Sequence, residues 1–334
     1  MRAIAAPRPS LSRRTLPALA LLTVVAAATR LPALRALPIF GDEAIFLRLA
    51  RLVAEDPSRN LWLPLNAPSA PLHPWLLALS LTFSPDPVTA GRFLSVLCGA
   101  LLVPALAWAV WRMGTIFSDE SESRAAAVAV AILAVASPFF AFSARLARVD
   151  VLFAAEVALS TGLALELALR ARRGGGLFAP AIALGLVLGS TMLTRQAVSY
   201  VLWLLPPIAA LLAGRTDPRR LGLAIGLALL LAISLWTPML VAPGWPDLSA
   251  RIFHIAASRP SLTAGARIAL FARNLGIAGA AFWTYLTPPI VLAAVAGAGE
   301  LAQRRRGKLL AFLAAWELLL LLPAALFATD YFPR

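Results

Sequence analysis

Apolar stretches of about 17 to 25 residues, each long enough to cross a bilayer as a helix, recur along most of this chain. They occupy 94–111, 125–142, 149–169, 177–193, 197–213, 221–241, 277–296 and 309–327. A further apolar run, 16–29, follows Arg2, Arg8, Arg13 and Arg14. A basic approach to a short apolar run is also what a cleaved secretory signal looks like. The reading adopted is an uncleaved first helix that continues past Arg30 towards Leu37. Arg30 and Arg35 would then snorkel from its outer end to the interface. No soluble core accommodates the pattern. Of the 334 residues 60% are hydrophobic and 14% charged, and mean hydropathy is +0.81; soluble domains carry about a quarter charged residues. The expected fold is all-α: a polytopic transmembrane helical bundle of about nine crossings, with 1–334 as a single domain.

A net charge of +14 would suit nucleic acid, whose phosphates release counterions to basic side chains. The basic residues are instead gathered in short loops between apolar runs. No basic stripe lies on a soluble domain, so no nucleic-acid partner is expected. With the amino terminus in the cytoplasm, the loops on that side hold Arg112 and Arg124; Arg170, Arg172 and Arg173; Arg215, Arg219 and Arg220; and Arg304, Arg305, Arg306 and Lys308. That is the positive-inside pattern. Cys98, the single cysteine, permits no intrachain disulfide and leaves the compartment open. The apolar run 71–83 is short for a crossing, and counting it as one would put every basic cluster outside. It is read as a helix lying on the outer surface, within one external loop, 38–92. Ile45, Leu49 and Leu52 share one face of a second, amphipathic interfacial helix, with Arg48 and Arg51 elsewhere.

The candidates for chemistry lie at the outer rim. Asp42 and Glu43 follow the first helix, where acids also serve simply as first-turn residues of the next one. Asp150 opens an apolar helix just after Arg145 and Arg148. An ionisable side chain near membrane depth marks a functional site, whereas an ion pair with either arginine would be structural. Arg195, between two spans, would either snorkel or bind an anionic headgroup or phosphate. Glu166 and Arg170, four residues apart, form a structural pair at the cytoplasmic end. Glu156 lies deeper and receives no function. His73 and His254 are external, but two distant histidines make no metal-binding pattern. Asp42 and Glu43 could hold a divalent cation, though spacing reveals no ligand set. Carboxylates and arginines on one membrane face suit a reaction that releases a phosphate.

The order of residues resembles the polyprenyl-phosphate-sugar-dependent membrane glycosyltransferases of the GT-C type, which include the lipid A aminoarabinose transferases and the protein mannosyltransferases. The resemblance rests on Gly41-Asp42-Glu43-Ala44, Pro71-Leu72-His73-Pro74-Trp75-Leu76, Ala90-Gly91-Arg92-Phe93-Leu94-Ser95, Ser143-Ala144-Arg145 with Arg148-Val149-Asp150, and Leu193-Thr194-Arg195. It covers the chain from the first helix to Ala213. It implies a transferase that moves a sugar, with inversion, from a polyprenyl-phosphate donor to a lipid, glycan or protein acceptor. In such enzymes the acid after the first helix is the base, which places Asp42 in that role, with Glu43 as its neighbour and acceptor or metal contact. Asp150 matches the second family acid. Arg145, Arg148 and Arg195 would face the donor phosphate, and His73 would contact the acceptor or the loop.

Two departures follow. Relatives carry a charged residue where this chain has Pro68-Ser69-Ala70, and they continue with further helices beyond Asp330-Tyr331-Phe332-Pro333-Arg334. The resemblance therefore implies a fragment or a short member. It also implies the bacterial inner membrane, with the active face periplasmic or extracellular. The rival readings are a transporter or lipid flippase of the cell envelope and an inactive scaffold. Carboxylates at the rim rather than the midplane favour the enzyme.

Overall fold

Among the described residues, four helices begin at an acid or a hydroxyl followed by proline: Asp56-Pro57, Asp86-Pro87, Ser137-Pro138 and Asp217-Pro218. In each, the first side chain accepts from a backbone N–H of the opening turn. Proline fits the next position because it has no N–H to leave unpaired. The computed structural model describes residues 15–66, 70–195, 199–213, 217–243 and 288–327, with isolated positions between 246 and 280.

Every regular element among the described residues is helical. The chain runs through α1 (Thr15–Arg30), α2 (Gly41–Glu55), α3 (Pro57–Asn60), a 3-10 turn (Leu63–Asn66), α4 (Leu72–Ser80), α5 (Pro87–Phe117), α6 (Glu120–Ala136) and α7 (Pro138–Ser143). It continues through α8 (Val149–Arg172), α9 (Phe178–Thr194), a second 3-10 turn (Tyr200–Leu204), α10 (Leu205–Ala213), α11 (Pro218–Leu240), α12 (Pro288–Gln303) and α13 (Gly307–Phe327). By length and composition α5, α8 and α11, of 31, 24 and 23 residues, can cross a bilayer. The apolar α1 and α9 are shorter, at 16 and 17 residues. The described residues thus do not reach the nine crossings expected. Part of the expected 277–296 span lies outside them, as do Arg2, Arg8, Arg13, Arg14, Pro68, Ser69, Arg215, His254 and the chain end after 327.

α8 is the hub of the bundle. Of its apolar window 72% is buried, against 22% for α11, where Leu223, Leu230 and Leu235 are exposed. α8 packs on α5, α9 and α10, and α9 packs in turn on α11. Leu165, Leu184, Leu188, Leu202 and Ala228 form the largest core cluster. Between apolar helices in lipid, close packing takes the place of a hydrophobic drive, so small residues mark the contacts. A Cβ on Gly185 of α9 would stand 2.6 Å from the Ala228 carbonyl oxygen of α11.

Helix ends sort into two sets. At one, Glu166 pairs with both Arg170 and Arg112, 2.5 and 2.8 Å away. The turn between α12 and α13 joins the α5–α6 turn there, through Arg304 and Arg306 to Glu122 and Arg306 to Ser118. The other set carries Asp42, Arg148, Asp150 and Arg195.

Several sequence expectations need correction. α1 stops at Arg30 rather than running to Leu37, because Pro32 disfavours helix at the residue before it. Arg30 does not snorkel: it is 1% exposed. Its guanidinium donates to the carbonyls of Gly99 in α5 and Ala134 near the end of α6, each at 3.0 Å. Arg35 does stay exposed, with Asp86 3.7 Å away. The 125–142 run breaks at Ser137, held extended before Pro138. α5 opens at Pro87, seven residues before the expected 94, because Asp86 caps it ahead of its apolar stretch. On α2 Glu43, Leu47, Leu49, Ala50 and Val53 are buried, with Leu47, Ala50 and Val53 clustered with Leu77 and Ala78 of α4, and of the expected face only Ile45 is exposed. α2 thus buries a face against its neighbours.

Candidate active site

Glu43 anchors this end of the molecule. It occupies the third position of α2, where its carboxylate accepts the Phe40 N–H at 3.3 Å and closes the first turn. Arg92, in the second turn of α5, meets it side-on. Its Nε donates to Oε1 and its Nη2 to Oε2, both at 2.7 Å. The Ala147 N–H adds a bond to Oε1 at 2.9 Å. The remaining guanidinium N–H groups reach the carbonyls of Leu34, Leu37 and Pro38, so all five donors are used. Neither side chain has any exposure. Burial by itself would raise the Glu43 pKa. The Arg92 hydrogen bond, the Ala147 N–H and the Arg92 charge outweigh it, and the carboxyl is held below its ordinary 4.5.

One ion pair therefore ties the 34–38 segment, α2, α5 and the turn before α8 together. Gly91 lets them meet: a Cβ there would lie 2.8 Å from both the Ala147 Cβ and a Leu47 methyl.

Asp42, one residue earlier, is the reverse case. Its side chain is 70% exposed, and Arg148 Nη2 lies 3.4 Å from its Oδ2. The same nitrogen is 3.2 Å from Asp150 Oδ2, and Arg195 Nη1 donates to Asp150 Oδ1 at 2.9 Å. The structure thus brings Asp42, Arg148, Asp150 and Arg195 into one chain of ion pairs. Each acid sits at the second position of its helix, α2 or α8, and Arg148 is the N-cap of α8. Arg195 ends α9. The N-terminal ends of α2 and α8 add positive potential suited to an anion.

Arg145 is not part of that chain. Its Nη2 donates to the carbonyls of Pro32 and Ala33 at 2.8 and 3.0 Å, which braces the turn after α1. His73, in the first turn of α4, is buried edge-on to Phe46 with ring centres 4.9 Å apart. Its Nδ1 has no hydrogen-bond partner. Burial pushes its pKa down to about 4, partly opposed by the Asp150 charge, so the ring is neutral near pH 7. Among the described residues no three His, Cys, Asp or Glu side chains gather as a metal site. Asp42 and Asp150 are the two carboxylates at the cluster with oxygens to offer a cation. A Mg²⁺-like ion needs few protein ligands, since it keeps waters and takes phosphate oxygens.

Residues 67–241 match the family described as dolichyl-phosphate-mannose-protein mannosyltransferase, a GT-C type glycosyltransferase family. The chain belongs to that family. No curated protein matches it, and no solved structure does. The part matched by the mannosyltransferase family contains His73, Arg92, Arg145, Arg148, Asp150 and Arg195, while Asp42 and Glu43 precede it.

Two residues of this glycosyltransferase were given no role by sequence reasoning. Arg92 was visible only as part of a motif. A lone arginine in the second turn of a long apolar helix was the signal that it needed a buried acid. Glu156 was noticed, but no spacing rule connects it to Thr194, whose hydroxyl donates to it from α9.

Proposed function

We propose that this glycosyltransferase moves a sugar from a polyprenyl-phosphate donor to an acceptor hydroxyl or phosphate on the non-cytoplasmic face of the bacterial inner membrane, inverting the anomeric centre. The observation that carries the reading is the single chain of ion pairs Asp42–Arg148–Asp150–Arg195, gathered where α2 and α8 begin and α9 ends. Asp42, the exposed carboxylate, takes the proton of the acceptor hydroxyl. The acceptor oxygen attacks the anomeric carbon opposite the phosphate, and the bond to the phosphate oxygen breaks with its electron pair staying on that oxygen. Arg148 and Arg195 stabilise the phosphate as it gains charge. Before donor binding they are held by Asp150, which keeps them aimed at the same place. Glu43, saturated and buried, positions Asp42 through the first turn of α2, and Arg145 braces the turn beneath. His73 lies beside the cluster as an uncharged contact for acceptor or loop.

The basic side chains Arg112, Arg124, Arg170, Arg172, Arg173, Arg219, Arg220 and Arg304 to Arg306 fall at the opposite helix ends. The positive-inside rule makes those ends cytoplasmic and the amino terminus with them. Lipid, glycan and protein remain the acceptor classes for this reading.

A transporter or flippase is the second reading. Arg30 and Glu156 favour it, because ionisable side chains buried among apolar helices often mark transport paths. Proteoliposomes holding the full chain and a labelled polyprenyl-phosphate sugar separate the two. The transferase frees unglycosylated polyprenyl phosphate as an added acceptor fraction gains label. Movement of intact donor between leaflets with no release would replace it with the flippase.

A further inference from the structure

We propose that Glu156 is a positioning residue for the donor phosphate, acting through Thr194 on Arg195; the inference rests on reading Arg195 as a phosphate-binding side chain. α8 carries Asp150 in its first turn and Glu156 six residues on, about 9 Å deeper along the axis. Two consecutive residues of α9 lie against them. Thr194 Oγ1 donates to Glu156 Oε1 at 3.0 Å, and Arg195 Nη1 donates to Asp150 Oδ1 at 2.9 Å. The last turn of α9 is therefore gripped at two depths by one neighbouring helix.

Arg195 needs such a grip because the helix ends there. Its N–H makes the final helical bond, to the Thr191 carbonyl at 2.8 Å, and its backbone then turns out at φ −155°, ψ 89°. Rotation of that last turn swings the guanidinium away from the cluster. Ser199 Oγ holds the far side of the turn through the carbonyls of Thr191 and Arg195. Glu156 holds the near side. It is 6% exposed, and its Oε2 has no hydrogen-bond partner. A buried acid left half satisfied costs stability, and an alanine or leucine would pack α8 against α9 more cheaply. The contact that this cost maintains is the one to Thr194.

The test is steady-state kinetics of the full chain in membranes, with a labelled polyprenyl-phosphate sugar as donor. The variants are Arg195→Ala, Glu156→Ala, Glu156→Gln, Thr194→Val, and Arg195→Ala combined with Glu156→Ala. Glu156→Ala and Thr194→Val are expected to raise the donor KM up to about tenfold, the loss of one hydrogen bond, while kcat changes less than about twofold. Glu156→Gln, whose amide oxygen still accepts from Thr194, stays within about threefold of wild type. The double variant is no worse than Arg195→Ala, since the two act on one contact.

Loss of kcat with an unchanged donor KM shows a merely structural role and overturns the inference, as do effects that multiply in the double variant. If Arg195→Ala raises the donor KM and neither Glu156→Ala nor Thr194→Val does, this inference alone fails. If Arg195→Ala leaves the donor KM at the wild-type value, or the wild type turns over no such donor, the underlying reading fails and takes this one with it.

Discussion

Arg92→Ala removes the centre of the Glu43 node and gives the sharpest test of how the site is held. The variant leaves a fully buried carboxylate with only the Phe40 and Ala147 N–H groups. It also leaves the Leu34, Leu37 and Pro38 carbonyls without their donor. Removing one partner of a buried pair costs about 3–5 kcal/mol. The three carbonyls are only part-buried and can take up water, so they add little, and about 4 kcal/mol is expected in all. That corresponds to a drop on the order of 10 °C in Tm for a chain of this size.

Thermal unfolding of purified protein in detergent reads the global effect. Trypsin cleavage at Arg35, exposed on the segment that Arg92 pins, reads the local one and should accelerate. Arg92→Lys should recover part of the loss, since an ammonium cannot reproduce the two-pronged contact. Replacing both Glu43 and Arg92 by Met should be better tolerated than Arg92→Ala, because no buried charge is stranded. A Tm within about 2 °C of wild type, with unchanged cleavage at Arg35, would refute the reasoning.

Other consequences can be checked in the same preparations. The folded-state pKa of Glu43 lies below 4.5, so its contribution is complete above that pH and is lost as pH falls through the lower folded value; the Tm deficit of Glu43→Gln should be largest near neutrality and shrink below pH 4.5. His73 behaves oppositely to a paired histidine. With a folded value of about 4 against an ordinary 6.5, the unfolded chain takes the proton first, so Tm should fall as pH drops from 6.5 to 4 and His73→Gln should lack that slope. Gly91→Val should lower Tm by an amount equivalent to about 1–3 kcal/mol, since its side chain must displace Ala147 and Leu47; a variant as stable as wild type would mean that α5 does not approach the turn before α8 this closely.

Where apolar content alone decides an element, the sequence was legible. The expected 149–169 and 177–193 spans are close to α8 and α9, whose bounds follow the apolar runs to within a few residues. α5 began early because the capping pair Asp86-Pro87 outranks the polar residues that follow it. The same tertiary competition hid the burial of Arg30, whose partners are carbonyls 69 and 104 residues away. At the site, position along the spans named Asp42, Glu43 and Asp150, with Arg145, Arg148 and Arg195, as neighbours in depth; the structure joins Asp42, Arg148, Asp150 and Arg195 but takes Glu43 to Arg92 and Arg145 to the turn after α1. The division of labour between Asp42 and Glu43 was not legible. Adjacent acids at a helix start look alike in sequence, and only packing against Arg92 buries one while the other stays open.

The most direct measurement is the turnover of Asp42→Asn with a polyprenyl-phosphate sugar and acceptor, compared with wild type in the same membranes. The account predicts a loss of about 10²–10⁴-fold in kcat, with the donor KM little changed because Arg148 and Arg195 remain. A variant that turns over within about threefold of wild type would contradict the assignment of Asp42 as the base.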